Sequence, residues 1–132
     1  IRRGQRIPYI ATDEKTDADF PFLLTTGRTL YAFNVGTMTA RTPNLELRAS
    51  DTLDISPEDA LRLDIATGDR ITVSSRHGRA VLPARIRSEI NPGELFATFH
   101  SAEILLNQIT SRQRDRLVNA PEYKVTAVSI EK

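Results

Sequence analysis

The chain never sustains one hydrophobic periodicity for long, and that rules out a helical bundle. Its apolar runs are short and are cut by turn chemistry at Thr67-Gly68-Asp69, His77-Gly78 and Asn91-Pro92-Gly93-Glu94. Glycine admits positive φ, proline presets φ and asparagine bonds its own backbone, so such clusters reverse the chain between strands. Within residues 70–75, Ile71 and Val73 alternate with polar neighbours; within 80–87, Ala84 and Ile86 keep a period of two, and 95–99 reads as a further strand. Residues 22–25 form a short buried strand before the Thr26-Gly27 turn. Residues 123–130 close the chain as a strand, with Val125 and Ala127 on one face and Thr126, Val128 and Ile130 on the other. Residues 52–55 run as a strand straight into a helix. Ser56 is its N-cap, Pro57 its first residue, and Glu58 and Asp59 set negative charge in its first turn. Ala60, Leu61 and Leu63 make its apolar side, and it ends by Asp64. Residues 102–109 are the remaining helix candidate. The pattern predicts a mostly β fold with short helices, a small mixed β barrel.

Composition narrows the function classes. At 132 residues the chain is one domain, with residues 1–19 a polar linker or tail and 20–132 the compact part. Its first residue is isoleucine, which fits a piece of a longer protein or a processed one. A formal net charge of +1 argues against a nucleic-acid partner. No run is long and apolar enough for direct membrane insertion. There is no cysteine, hence no disulfide, thiolate metal site or iron–sulfur ligand, and His77 and His100 alone cannot complete a metal site. His77, at a hairpin tip, reads as exposed turn chemistry. Lys15, Lys124 and Lys132 are the lysines among 18 basic residues, so arginine dominates. That bias serves oxyanion recognition and equally follows from genomic base composition.

The chemistry-bearing stretches are T-T-G-R-T-L-Y (residues 25–31), G-T-M-T (36–39) and P-E-Y-K (121–124). In the first, a strand delivers hydroxyls, a glycine and a guanidinium to one turn. Glycine permits close backbone approach, hydroxyls and amides donate, and arginine offers a bidentate fork, which together suit a phosphate-bearing ligand. Alone, the T-T-G-R tetrapeptide is also what an ordinary strand-end turn looks like.

Read in order with I-S-P-E-D-A (55–60), Gly68-Asp69, V-S-S-R-H-G-R (73–79), N-P-G (91–93) and N-Q-I-T (107–110), these stretches resemble a known family. It is the C-terminal molybdopterin-dinucleotide-binding domain of the molybdenum and tungsten oxidoreductases related to dimethyl sulfoxide reductase. The likeness is greatest to the large subunit of formate dehydrogenases and covers residues 20–132. It implies a double-psi β-barrel and bis-molybdopterin guanine dinucleotide as cofactor. The metal (molybdenum or tungsten) and the iron–sulfur clusters would be held by other domains, so the domain alone is expected to be inactive. Implied partners are the remaining domains of the large subunit and electron-transfer subunits. The implied compartment is the cytoplasm, with the periplasm as alternative.

The resemblance also assigns residues. Thr26, Gly27, Arg28 and Thr29 match the first cofactor loop, hydrogen bonding pterin and phosphate oxygens, with Leu30 and Tyr31 shaping its wall. Thr37, Met38 and Thr39 match the second loop. Phe99 and His100 end a strand facing the ligand, Asn107 can donate to and accept from a heterocycle, and Tyr123 and Lys124 match the terminal aromatic–basic pair. No catalytic residue or metal ligand is assigned. Packing explains Tyr31, Met38 and Tyr123 as well, a rim position explains His100, a turn or cap explains Asn107, and surface ion pairs explain Arg28 and Lys124. The family pattern is broken after Asp115, where Arg116, Leu117 and Val118 replace an Asp-Pro and serine segment. Periplasmic nitrate reductase, formylmethanofuran dehydrogenase and a non-catalytic interaction module on the same barrel are the competing readings.

Overall fold

Among the described residues six strands form where turn signals separate alternating runs: β1 (Phe22–Gly27), β2 (Leu53–Ile55), β3 (Arg70–Ser75), β4 (Arg79–Ile86), β5 (Glu94–Thr98) and β6 (Val125–Glu131). With them, among the same residues, are the helix α1 (Pro57–Arg62) and a 3-10 turn at Leu106–Gln108. The computed structural model describes residues 11, 12, 14–28, 41, 51–100, 106–112, 114, 120, 122 and 124–132. The strands close on themselves in the order β1-β5-β2-β4-β3-β6. β1 pairs β5 and β2 pairs β4 in parallel, and the remaining pairs are antiparallel. The fold is the mostly β double-psi barrel that the resemblance implied.

Register brings the inward residues of distant strands together. Leu24 sits opposite Leu95 and Thr126, Ile55 opposite Leu95, and Ile71 opposite Leu82. Leu24, Leu53, Ile55, Ile71, Val73, Leu82 and Val128 are wholly enclosed, and each such side chain contributes about 1.5–3 kcal/mol relative to exposure. β1 alternates rather than being solidly buried, with Thr25 exposed. In β4 the inward phase is Ala80, Leu82 and Ala84; Ile86 keeps that phase at the strand's end and is 36% exposed.

The helix is capped as its sequence predicts. Ser56 Oγ accepts the Asp59 N–H at 3.1 Å, and Pro57 opens the first turn. Its buried face differs from the expected one. Leu61 is 86% exposed and Leu63 is exposed, while Asp59 and Ala60 turn inward. A six-residue helix can bury only one narrow stripe, and here a polar network holds it. Asp59 Oδ2 accepts from Ser56 Oγ (3.1 Å) and from the Gly93 N–H (2.7 Å), while Arg62 donates to Oδ1 (2.7 Å). Asp59 thereby ties the helix to the turn before β5. Ser56→Ala is expected to cost about 1–2 kcal/mol in urea unfolding through the lost cap. Leu61→Ala should stay within about 0.5 kcal/mol. Equal losses would show that Leu61, not the network, anchors the helix.

Candidate functional site

Pairing directions place the C-terminal ends of β1, β3 and β5 at the same rim as the N-terminal ends of β2, β4 and β6. Helix α1 and the turn before β5 lie at the other rim. The first rim gathers residues far apart in sequence. Gly27 pairs with Thr98, and the Thr26 N–H donates to the Lys124 carbonyl at 3.2 Å. Thr26 is buried, whereas Arg28 and Lys124 are exposed. Beside them, Phe99 and His100 are half-buried, with ring centroids 5.6 Å apart and planes tilted by 34°. A Cβ on Gly27 would lie 2.7 Å from the far edge of the Phe96 ring, so any other residue there makes that ring shift. Glycine suits this strand end for close packing as well as for backbone approach.

Asn107 reaches the same rim by a different route. Its 3-10 turn rests on the connection between β3 and β4: Ser75 Oγ donates to the Ile109 carbonyl at 2.7 Å, and a Cβ on Gly78 would meet the Gln108 carbonyl oxygen at 2.7 Å. Thr110 Oγ1 donates to the Asn107 carbonyl at 3.0 Å, and the Ser111 N–H donates to Thr126 Oγ1 at 3.3 Å. Asn107 itself is exposed. The structure thus brings Thr26, Gly27, Arg28, Phe99, His100, Asn107 and Lys124 to one end of the barrel. Thr29, Leu30, Tyr31, Thr37, Met38, Thr39 and Tyr123 lie outside the described residues.

Three residues important to this rim escape sequence reasoning. His77 is not mere exposed turn chemistry: its Nε2 lies 2.7 Å from Glu14 Oε1, and its side chain is 20% exposed. Glu14, in a stretch without periodicity, is 7% exposed and its Oε2 accepts the Ala127 N–H at 3.1 Å. Burial alone raises the Glu14 pKa. The His77 hydrogen bond, the Ala127 amide, the His77 charge and the Ser111 hydroxyl outweigh it and hold the carboxyl below its ordinary range. Nearby, Arg76 bonds Asp17 and lies 4.9 Å over the Phe20 ring, strapping residues 14–20 to the hairpin. The third is Asp51, 2% exposed, which accepts from Thr98 Oγ1 at 2.6 Å and from the His100 N–H at 2.8 Å. Each contact spans tens of residues, so no local signal marks it.

Chemically, the rim offers a guanidinium, an ammonium, an amide and an imidazole around a glycine turn. The donor set fits a ligand carrying both phosphate and heterocycle. Among the described residues, no group of three or more His, Cys, Asp or Glu is placed to hold a metal.

Residues 22–127 match the family described as the molydopterin dinucleotide binding domain. The chain belongs to this family. Among its relatives is the F420-dependent formate dehydrogenase subunit alpha of Methanocaldococcus jannaschii, 41% identical over 98% of this chain and 20% of that protein. The F420-dependent formate dehydrogenase 1 subunit alpha of Methanococcus maripaludis is 37% identical over 96% of this chain and 19% of its own length. A nitrate reductase of Symbiobacterium thermophilum is 38% identical over 95% of this chain and 17% of that protein. This molydopterin dinucleotide-binding domain therefore spans about a fifth of the curated relatives it matches. In fold it is similar to acetylene hydratase of Pelobacter acetylenicus, with a TM-score of 0.67 and 15% identity over 85% of this chain and 18% of that one.

The Glu14 contacts carry a pH signature. Its lowered folded pKa means the ionised form stabilises the domain fully above the ordinary value of 4.5. That stabilisation is lost as pH falls through the folded value. Glu14→Gln should cost about 1–3 kcal/mol near neutral pH. The gap to the parent should close in unfolding titrations carried below pH 4.5. A gap unchanged at low pH would assign the loss to packing.

Proposed function

We propose that this domain binds molybdopterin guanine dinucleotide, in its bis form, within the large subunit of a formate dehydrogenase. The observation that carries the reading is the convergence of Thr26 to Arg28, Phe99, His100, Asn107 and Lys124 on one barrel rim from widely separated stretches. The relatives named as formate dehydrogenase alpha subunits support the choice of enzyme.

In this reading Arg28 holds phosphate oxygens through its planar fork and Lys124 adds a second cation. The Gly27 turn lets backbone amides come close, with Thr26 and Thr29 beside it, and Asn107 reads a heterocycle edge with paired donor and acceptor. Leu30, Tyr31, Met38, Phe99 and Tyr123 wall the cofactor, Thr37 and Thr39 donate to its polar atoms, and the His100 ring borders the same cleft. The bound metal–pterin group supplies the redox chemistry that converts formate to carbon dioxide. This chain's contribution is fixed donors and an apolar wall, with no acid–base residue of its own. The metal ligand and iron–sulfur clusters belong to other domains of the large subunit, and electrons leave through partner subunits. The cytoplasm is the proposed compartment. The nitrate reductase relative favours, as a second reading, the same cofactor domain in a nitrate-reducing enzyme.

Titrating the chain with molybdopterin guanine dinucleotide while following backbone amide resonances tests the site. Shifts should gather on residues 26–28, 99–100, 107 and 124, and Arg28→Ala should weaken binding about tenfold, the scale of a lost charge-assisted hydrogen bond. Shifts confined to α1 and the opposite rim would reject the site. Formate-dependent dye reduction by the full-length subunit, set against nitrate-dependent dye oxidation, decides between the two enzymes.

A further inference from the structure

A buried carboxylate stands at a rim read above as a site for an anionic cofactor. Burying a carboxylate is costly and a negative charge there opposes phosphate binding, so its presence asks for a reason. Asp51 lies two positions before Leu53, which pairs with Ala97 across β2 and β5. From there its two oxygens take different donors: Oδ1 accepts from Thr98 Oγ1 at 2.6 Å, and Oδ2 accepts from the His100 N–H at 2.8 Å. The carboxylate thus straddles Phe99, gripping the residue on each side of it just where β5 ends at Thr98 and ladder bonds no longer hold the chain. Asp51 binds the His100 amide, and the His100 imidazole lies against the Phe99 ring.

Resting on the cofactor reading of this rim, we propose that Asp51 is a positioning residue: it locks Phe99 and His100 so that the His100 imidazole meets the cofactor. It acts as a two-point hydrogen-bond acceptor, not through its charge. Asparagine is nearly isosteric and can preserve both contacts. Its Oδ1 accepts the His100 N–H while its Nδ2 donates to the Thr98 hydroxyl, which reverses its role.

The test titrates the full chain, Asp51→Ala, Asp51→Asn, His100→Ala and the Ala/Ala double variant with molybdopterin guanine dinucleotide. The readouts are Kd, the His100 ring-proton shifts and the thermal midpoint. Asp51→Ala and His100→Ala are each expected to weaken binding about tenfold. The double variant should be no weaker than either, because both remove the same contact. Asp51→Asn should restore the parent Kd within about twofold and the ring-proton shift on binding. If Asp51→Ala does not fold, Thr98→Val removes one anchor alone and should give a smaller loss with a displaced His100 ring signal. Parent-like affinity in Asp51→Ala, fully additive losses in the double variant, or tighter binding by Asp51→Asn overturns the proposal while the cofactor reading stands. A parent that shows no shift at Arg28 and Lys124 overturns the cofactor reading and this inference with it.

Discussion

The rim depends on the closure of the sheet between the first strand and the last. β6 pairs antiparallel to β1 from Phe22↔Val128 to Thr25↔Val125, and one further bond, Thr26 N–H to the Lys124 carbonyl, carries the pairing to the barrel's edge. Without that seam, T-T-G-R and the P-E-Y-K end have no reason to be neighbours. Closure also removes both sheet edges, so the strands have no exposed ladder to offer other chains. The parallel pairing of β1 with β5 then sets Gly27 beside Thr98 and brings Phe99 and His100 to the same place.

Strand direction explains why one rim carries the two long connections and the other a capped helix and a tight turn. The connections from β1 to β2 and from β5 to β6 both leave and return at the first rim, and both are long. Connections of that length in a small domain commonly carry function. At the opposite rim the connections are a capped helix and a tight turn, locked by Asp59 to Ser56, Arg62 and Gly93. Arg62 lies 5.7 Å over the Phe22 ring there and helps cover the bottom of the core.

Much of this was legible in sequence, and what was not shares one cause. Alternation located the strands, and Ser56-Pro57 located the helix start, because both are local effects of side-chain direction and capping. The helix face was misread because apolarity pointed to Leu61 and Leu63, while the deciding partner of Asp59 is the Gly93 amide across the barrel. His77 looked like turn chemistry since Glu14 is 63 residues away. The double-psi topology came from the resemblance, as periodicity reports neither strand order nor parallel pairing. Motif reading likewise gives no sign of Asp51, whose contacts with Thr98 and His100 lie almost fifty residues away.

The buried acids follow a common rule that bears on ligand charge. Asp51 is held by Thr98 and the His100 amide, Glu14 by His77 and the Ala127 amide, and Asp54 by a bidentate Arg85 within the parallel β2–β4 pair. In each case fixed donors meet the carboxylate oxygens, which offsets desolvation and localises the negative field. The opposite rim exposes Glu58, Asp64, Glu94 and Glu131 together with Arg62, Arg70 and Lys132, and pairs Glu89 with Arg87. Around the first rim, Arg28, Arg79, Arg112, Arg114 and Lys124 are exposed, and among the described residues Glu14, Asp51 and Glu122 are hydrogen bonded. Both ends thus mix exposed cations with acids, and an anionic ligand at the first rim meets a field that salt screens. The ligand reading proposed for the first rim therefore rests on which side chains converge there, not on where the basic charge lies.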